Sequence, residues 1–99
     1  MVKNSYVYIL TNERNGTLYV GVTSNIEGSI SLHLAGIGSK FTKKYNTTML
    51  VHIEEFSDIR DAIAREKAMK KWNRRWKLRL IEETNPDWTD LAGPPPTRG

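Results

Sequence analysis

Tyr6-Val7-Tyr8-Ile9-Leu10 and Leu18-Tyr19-Val20-Gly21 are short runs of β-branched, aromatic and aliphatic residues separated by a polar stretch. Runs of that composition read as strands. Asn15-Gly16 between them marks a hairpin, because both residues tolerate positive φ. With Asn15-Gly16 as a two-residue loop, Arg14 pairs with Thr17 and partner numbers sum to 31. An odd sum puts Tyr8, Leu10 and Asn12 on the face that carries Tyr19, Gly21 and Thr23, since side chains alternate along strands. A four-residue turn keeps that parity and a three-residue turn breaks it. One sheet face therefore carries two phenols and a glycine gap, arranged either as core or as the wall of a site.

Further along, Asn25 is an N-cap candidate with Glu27 in the first turn. Ile26, Ile30 and His33 or Leu34 follow at helical spacing to about Leu34, although Gly28, Ser29 and Ser31 weaken that helix. Ala35 to Ser39 ends it, and Lys40 to Asn46 reads as a basic loop. Thr48 to Phe56, rich in β-branched and aromatic residues, predicts a third strand. Ser57 or Asp58 caps a helix from about Ile59 to Trp72. Asn73 breaks or kinks it before a second segment, Arg74 to Glu83, and Asn85-Pro86 stops the pattern. The order is β-β-α-β-α-α, an α+β domain over residues 1–91 with a small three-stranded antiparallel or mixed sheet flanked by helices. The tail from Ala92 to Gly99, with three prolines and two glycines, has little to pack and is expected to be disordered.

The long helix has an apolar stripe of Ile59, Ala62, Ile63, Met69, Trp72 and Trp76. Glu66 falls inside it, three residues after Ile63 and three before Met69. A carboxylate among apolar groups loses several kcal/mol of hydration unless a cation or hydrogen-bond donors replace it. A Mg²⁺ ion, which favours one or two carboxylates with waters and substrate phosphate oxygens, is one such partner. An ion pair with a neighbouring Lys or Arg is the other.

Composition narrows the picture. Ninety-nine residues allow one small core, and 38% hydrophobic content is that of a folded chain. The absence of cysteine excludes disulfides, thiolate metal sites and a cysteine nucleophile. No apolar leader or membrane-length run is present, so a soluble, cytoplasmic and monomeric protein is expected. Of the fifteen basic residues, eight lie between positions 65 and 79: Arg65, Lys67, Lys70, Lys71, Arg74, Arg75, Lys77 and Arg79. Lys40, Lys43 and Lys44 form a smaller group. Such clustering suits a polyanion that releases counterions on binding, or it is a solvated helix face. Trp72, Trp76 and Trp88 are packing residues or, where exposed, surfaces for stacking bases.

Val7-Tyr8-Ile9 followed by Leu18-Tyr19-Val20-Gly21-Val22-Thr23 resembles the paired motif of the GIY-YIG nuclease superfamily, in particular its small single-domain bacterial branch. The likeness continues through Phe41-Thr42-Lys43-Lys44-Tyr45, Ala64-Arg65-Glu66-Lys67, Lys70-Lys71-Trp72 and the ending Leu80-Ile81-Glu82-Glu83-Thr84-Asn85-Pro86-Asp87-Trp88. It implies an endonuclease that hydrolyses DNA phosphodiester bonds with a single Mg²⁺ or Mn²⁺. By position, Tyr8 and Tyr19 are the site tyrosines, Glu66 the metal ligand, and His33 a histidine that helps a tyrosine shed its proton. DNA contacts fall to Lys40, Lys43, Lys44, Lys70, Lys71, Arg74 and Arg75. Branched, single-stranded and duplex DNA are all open as its substrate.

One position departs from the pattern. The family's phosphate-stabilising arginine aligns with Ser29, and no Lys or Arg occurs between Thr17 and Ser39. Loss of such a charge typically costs about 10²–10³ in rate. The readings left open are an active or weakened nuclease, an inactive nucleic-acid-binding module of the same fold, and a protein adaptor built on the tryptophan-bearing helices.

Overall fold

The computed structural model describes residues 4–26 and 49–91. It contains β1 (Ser5–Thr11), β2 (Leu18–Thr23), β3 (Met49–Phe56), α1 (Ile59–Lys71) and α2 (Arg74–Thr84). The strands form an antiparallel sheet in the order β2-β1-β3, so the α+β arrangement expected of the chain is present. Only the first residues of the helix expected from Asn25 to Leu34 fall inside the described residues; the basic loop and the tail from Ala92 lie outside them.

As the middle strand, β1 is buried on both faces. Val7 and Ile9 join Val20, Val51, Ala62, Met69, Ile81 and Trp88 in a core between the sheet and the helices. Tyr8 and Leu10 alternate to the other face and pack with Leu50, Tyr19 and Ile26. Met69 and Ile81 are fully buried, each contributing roughly 1.5–3 kcal/mol of transfer free energy.

The hairpin keeps the expected parity but not the expected pairing. Tyr8 lies opposite Gly21 and Leu10 opposite Tyr19, so partner numbers sum to 29 rather than 31. The ladder ends at Thr11 opposite Leu18, leaving a six-residue connection from Asn12 to Thr17. Side chains account for the difference. Thr17 N–H donates to Asn12 Oδ1 at 2.8 Å, and the Thr11 hydroxyl donates to the Glu13 carbonyl at 2.7 Å. Both bonds take backbone groups or side chains that a longer ladder needs. Within the loop, Gly16 N–H donates to the Glu13 carbonyl at 2.9 Å, and Asn15 adopts φ 59°.

Between β1 and β3 the register shifts after Ile9, which faces His52, while Leu10 faces Leu50. Val51 is the extra residue of this bulge. Asn85, buried just past α2, donates Nδ2–H to the Val51 carbonyl at 3.1 Å and to the Thr89 carbonyl at 2.8 Å. Its Oδ1 accepts from Thr89 N–H and from the Thr89 hydroxyl. The Asn85-Pro86 stop is thus also a clamp on β3.

Asp58 caps α1, its carboxylate accepting from Arg60 N–H at 2.9 Å. Trp72 leaves the helix at ψ 149°, and Asn73 starts α2 by accepting from Trp76 N–H at 3.0 Å. The predicted break at Asn73 is therefore a complete stop and restart. The buried line of α1 is Ala62, Glu66 and Met69, whereas Ile59 and Ile63 are 41% and 36% exposed. The helix is rotated from the apolar stripe read in the sequence, and Glu66 sits inside the line that faces the sheet.

Candidate functional site

Tyr8 and Tyr19 share one sheet face because each stands on an alternate position of the hairpin ladder. Their ring centroids are 6.4 Å apart with planes tilted by 44°, a distance at which aromatic pairs attract. Tyr8 is 4% exposed, and Tyr19 is half-buried. Gly21 makes the arrangement possible. A Cβ there would lie 2.5 Å from both Cζ and the hydroxyl of Tyr8, so only glycine lets the phenol cross this part of β2. Tyr6 lies on the same face, and its hydroxyl donates to Glu55 Oε2 at 3.4 Å.

Glu66 comes from the other side. Its helix packs on the sheet face of Val7 and Ile9, opposite the phenols, and its side chain is 12% exposed. The partner is Lys70, one turn later, whose Nζ lies 2.6 Å from Oε2 and whose side chain is 53% exposed. This contact is the ion pair with a neighbouring lysine that the sequence allows for the carboxylate. The structure brings Tyr8, Tyr19 and Gly21 together; it holds Glu66 on the neighbouring layer. Among the described residues no group of three or more His, Asp or Glu side chains is placed to hold a metal ion. A hydrated cation on a single carboxylate needs no such group.

The expected nucleic-acid contacts divide. Lys70, Lys71 and Arg75 are exposed at the junction of α1 and α2. Arg74 has a different task in this fold, donating Nη2–H groups to the carbonyls of Asn15 and Gly16 at 2.6 Å each and tying the hairpin loop to the start of α2. Ser29, His33, Lys40, Lys43 and Lys44 lie outside the described residues.

A polar chain that the sequence reading missed runs between sheet and helices. Buried His52 places Nε2 2.8 Å from Glu54 Oε2 and Nδ1 3.4 Å from the Thr84 hydroxyl. Arg65 donates to both oxygens of Glu54, at 2.8 and 3.0 Å. The His52 hydrogen bond and then the Arg65 guanidinium hold the Glu54 carboxyl down at about 2, against the opposing effect of partial burial. Glu54 in turn raises the proton affinity of Arg65. The Arg65 guanidinium also sits 4.9 Å from the centre of the Trp72 ring. The alternation Val51-His52-Ile53-Glu54 contained the signal that His52 and Glu54 share a face; the bulge and register decide which face that is.

Among the described residues no helix is long and apolar enough to cross a membrane. Residues 4–79 match the GIY-YIG catalytic domain model. The chain is 44% identical over 78 residues to a UPF0213 protein of Staphylococcus haemolyticus, covering 79% of this chain and 94% of that one. A UPF0213 protein of Bacillus licheniformis is 37% identical over 90 residues, 91% of this chain and 93% of the relative. Among solved structures, the solution NMR structure of a UPF0213 protein from Bacillus halodurans is similar with a TM-score of 0.56 and 30% identity, covering 88% and 92% of the two chains. Both the paired tyrosine strands and the arrangement of sheet and helices are thus accounted for by common descent: the chain belongs to the GIY-YIG family, in its UPF0213 group of small proteins.

Proposed function

We propose that this protein is an endonuclease that hydrolyses DNA phosphodiester bonds with one Mg²⁺ or Mn²⁺, weakened by Ser29. The observation that carries this reading is Glu66, a nearly buried carboxylate whose only ion-pair partner among the described residues is an ammonium group largely in water. A pair of this kind within a helix contributes only about 0.3–0.5 kcal/mol, little against the cost of burying a carboxylate. Glu66 therefore fits a hydrated divalent cation, with Lys70 swinging away to a substrate phosphate. When bound, that cation polarises the phosphoryl oxygen and stabilises the leaving alkoxide.

The tyrosines take separate roles in this proposal. Tyr8, enclosed and seated on Gly21, is the fixed member. Tyr19, the more exposed, positions the attacking water. Because the phenols and α1 occupy opposite sheet faces, a site that uses both closes over the rim of the sheet. His33, Lys40, Lys43 and Lys44 enter this proposal by sequence alone, through their match to the family motif and their charge. Ser29 supplies a hydroxyl and no charge where the family motif has arginine.

Purified protein incubated with duplex, single-stranded and branched DNA in Mg²⁺ or Mn²⁺ tests the reading. Glu66→Ala is expected to abolish cleavage, and Ser29→Arg to raise it by roughly 10²–10³. If neither the wild type nor Ser29→Arg nicks any of these DNAs, the nuclease reading is wrong. Binding that falls with salt yet ignores Glu66→Ala then favours the second reading, an inactive DNA-binding module, for which Lys71 and Arg75, exposed and in no ion pair among the described residues, speak.

A further inference from the structure

Part of α2 faces away from the core with a composition that stability does not require. Trp76 is 52% exposed and meets Trp72 edge-on, with ring centroids 5.9 Å apart and planes at 76°. Trp72 is half-buried against the helix-side core and held by the Arg65 guanidinium, so it forms a fixed wall. The two indoles, with Arg79, Leu80 and Glu83, line an open groove of about 210 Å³. Arg79 belongs to this lining and also, with Arg75, to that of the neighbouring surface hollow; both arginines are exposed and, among the described residues, in no ion pair. Burial, and after it the nearby Arg74 charge, lower the proton affinity of Lys77 on the same helix.

We propose that Trp76 is a stacking platform for an unpaired nucleobase, with Arg75 and Arg79 holding the adjoining phosphates. This rests on the nucleic-acid reading above and adds to it a site and a substrate feature. An acidic peptide would satisfy the cations but leave the indole in water. A nucleotide presents an anion and a flat π face on one ligand, matching both properties of the groove. Bases inside a duplex are already stacked on both sides, so the occupant is a single strand, an end or a flap. Glu83 repels phosphate at the far side of the groove and accepts from the exocyclic amino group of adenine, cytosine or guanine.

Fluorescence anisotropy of a labelled short oligodeoxyadenylate at low salt tests this, beside an abasic strand of equal charge. Trp76→Leu is expected to weaken binding of the adenylate roughly tenfold, and Trp76→Phe much less. Wild-type protein should lose a similar factor on the abasic strand, on which Trp76→Leu should have no further effect. The abasic comparison needs no variant, so a folding defect cannot hide the answer. Equal affinity for the two strands, unchanged affinity in Trp76→Leu, or no binding of the adenylate by the wild type overturns the platform. Glu66→Ala separates the two proposals. Glu66-dependent cleavage without a Trp76 effect refutes only the platform, and Trp76-dependent binding without cleavage in any variant refutes only the nuclease.

Discussion

Gly21→Ala tests the contact on which the paired phenols depend. The new Cβ would stand 2.5 Å from Cζ and the hydroxyl of Tyr8 and 2.9 Å from Cε1, where ordinary contact begins at 3.4 Å. The ring must therefore retreat by about 1 Å. Little room exists for that, because Tyr8 is 4% exposed, packs with Leu10 and Leu50, and has the Tyr19 ring centroid 6.4 Å away. A phenol has two side-chain torsions and cannot bend out of the way. Overpacking of this sort costs about 1–3 kcal/mol. Gly21 is not in the left-handed region, so alanine recovers about 0.4–1 kcal/mol by restricting the unfolded chain. The net loss is about 1–2 kcal/mol, or roughly 5–10 °C in melting temperature for a domain of this size. Thermal unfolding followed by circular dichroism, run as a double-mutant cycle with Tyr8→Leu, isolates the contact. In the Tyr8→Leu background Gly21→Ala should cost almost nothing. An equal loss in both backgrounds, or none in either, refutes the reasoning.

Two further predictions concern stability. Glu54 has an ordinary value of 4.5 when unfolded and about 2 when folded, so its contribution is complete above about 4.5 and is lost as pH falls toward 2. Glu54→Gln is expected to lower stability at neutral pH and to flatten the acid limb of the stability profile in that window; an unchanged slope there counts against the His52–Glu54–Arg65 chain. Asn85→Ala strips the Val51 carbonyl and Thr89 N–H of their buried partner and is expected to cost about 2–4 kcal/mol in urea unfolding, with a loss below about 0.5 kcal/mol contradicting the clamp.

Periodicity and capping residues were enough to locate every element that the structure describes. Asp58, Asn73 and Asn85 bound the two helices because each carries a short side chain that competes for a backbone hydrogen bond within a few residues. Parity alone put Tyr8, Tyr19 and Gly21 on one face, and a register change of two could not disturb it. What stayed hidden depended on partners distant in sequence. The rotation of α1 follows from Arg65 reaching Glu54 and Trp72, which turns Ile63 outward and Glu66 inward. Arg74 looked like one more cation of a basic run, and only the folded hairpin supplies the carbonyls that occupy it.

The segment after α2 covers part of the sheet's β3 edge. On β3, the Leu50 N–H donates to the Asp90 carboxylate at 3.1 Å, and the Leu50 carbonyl accepts from Leu91 N–H at 2.7 Å. Asn85 occupies the Val51 carbonyl beside them. Without residues 85–91 these groups would be open to another molecule's strand, the usual starting point of edge-to-edge aggregation. The closing turn thus works as a guard on the sheet, keeping this stretch of β3 from recruiting a fourth strand from a neighbour.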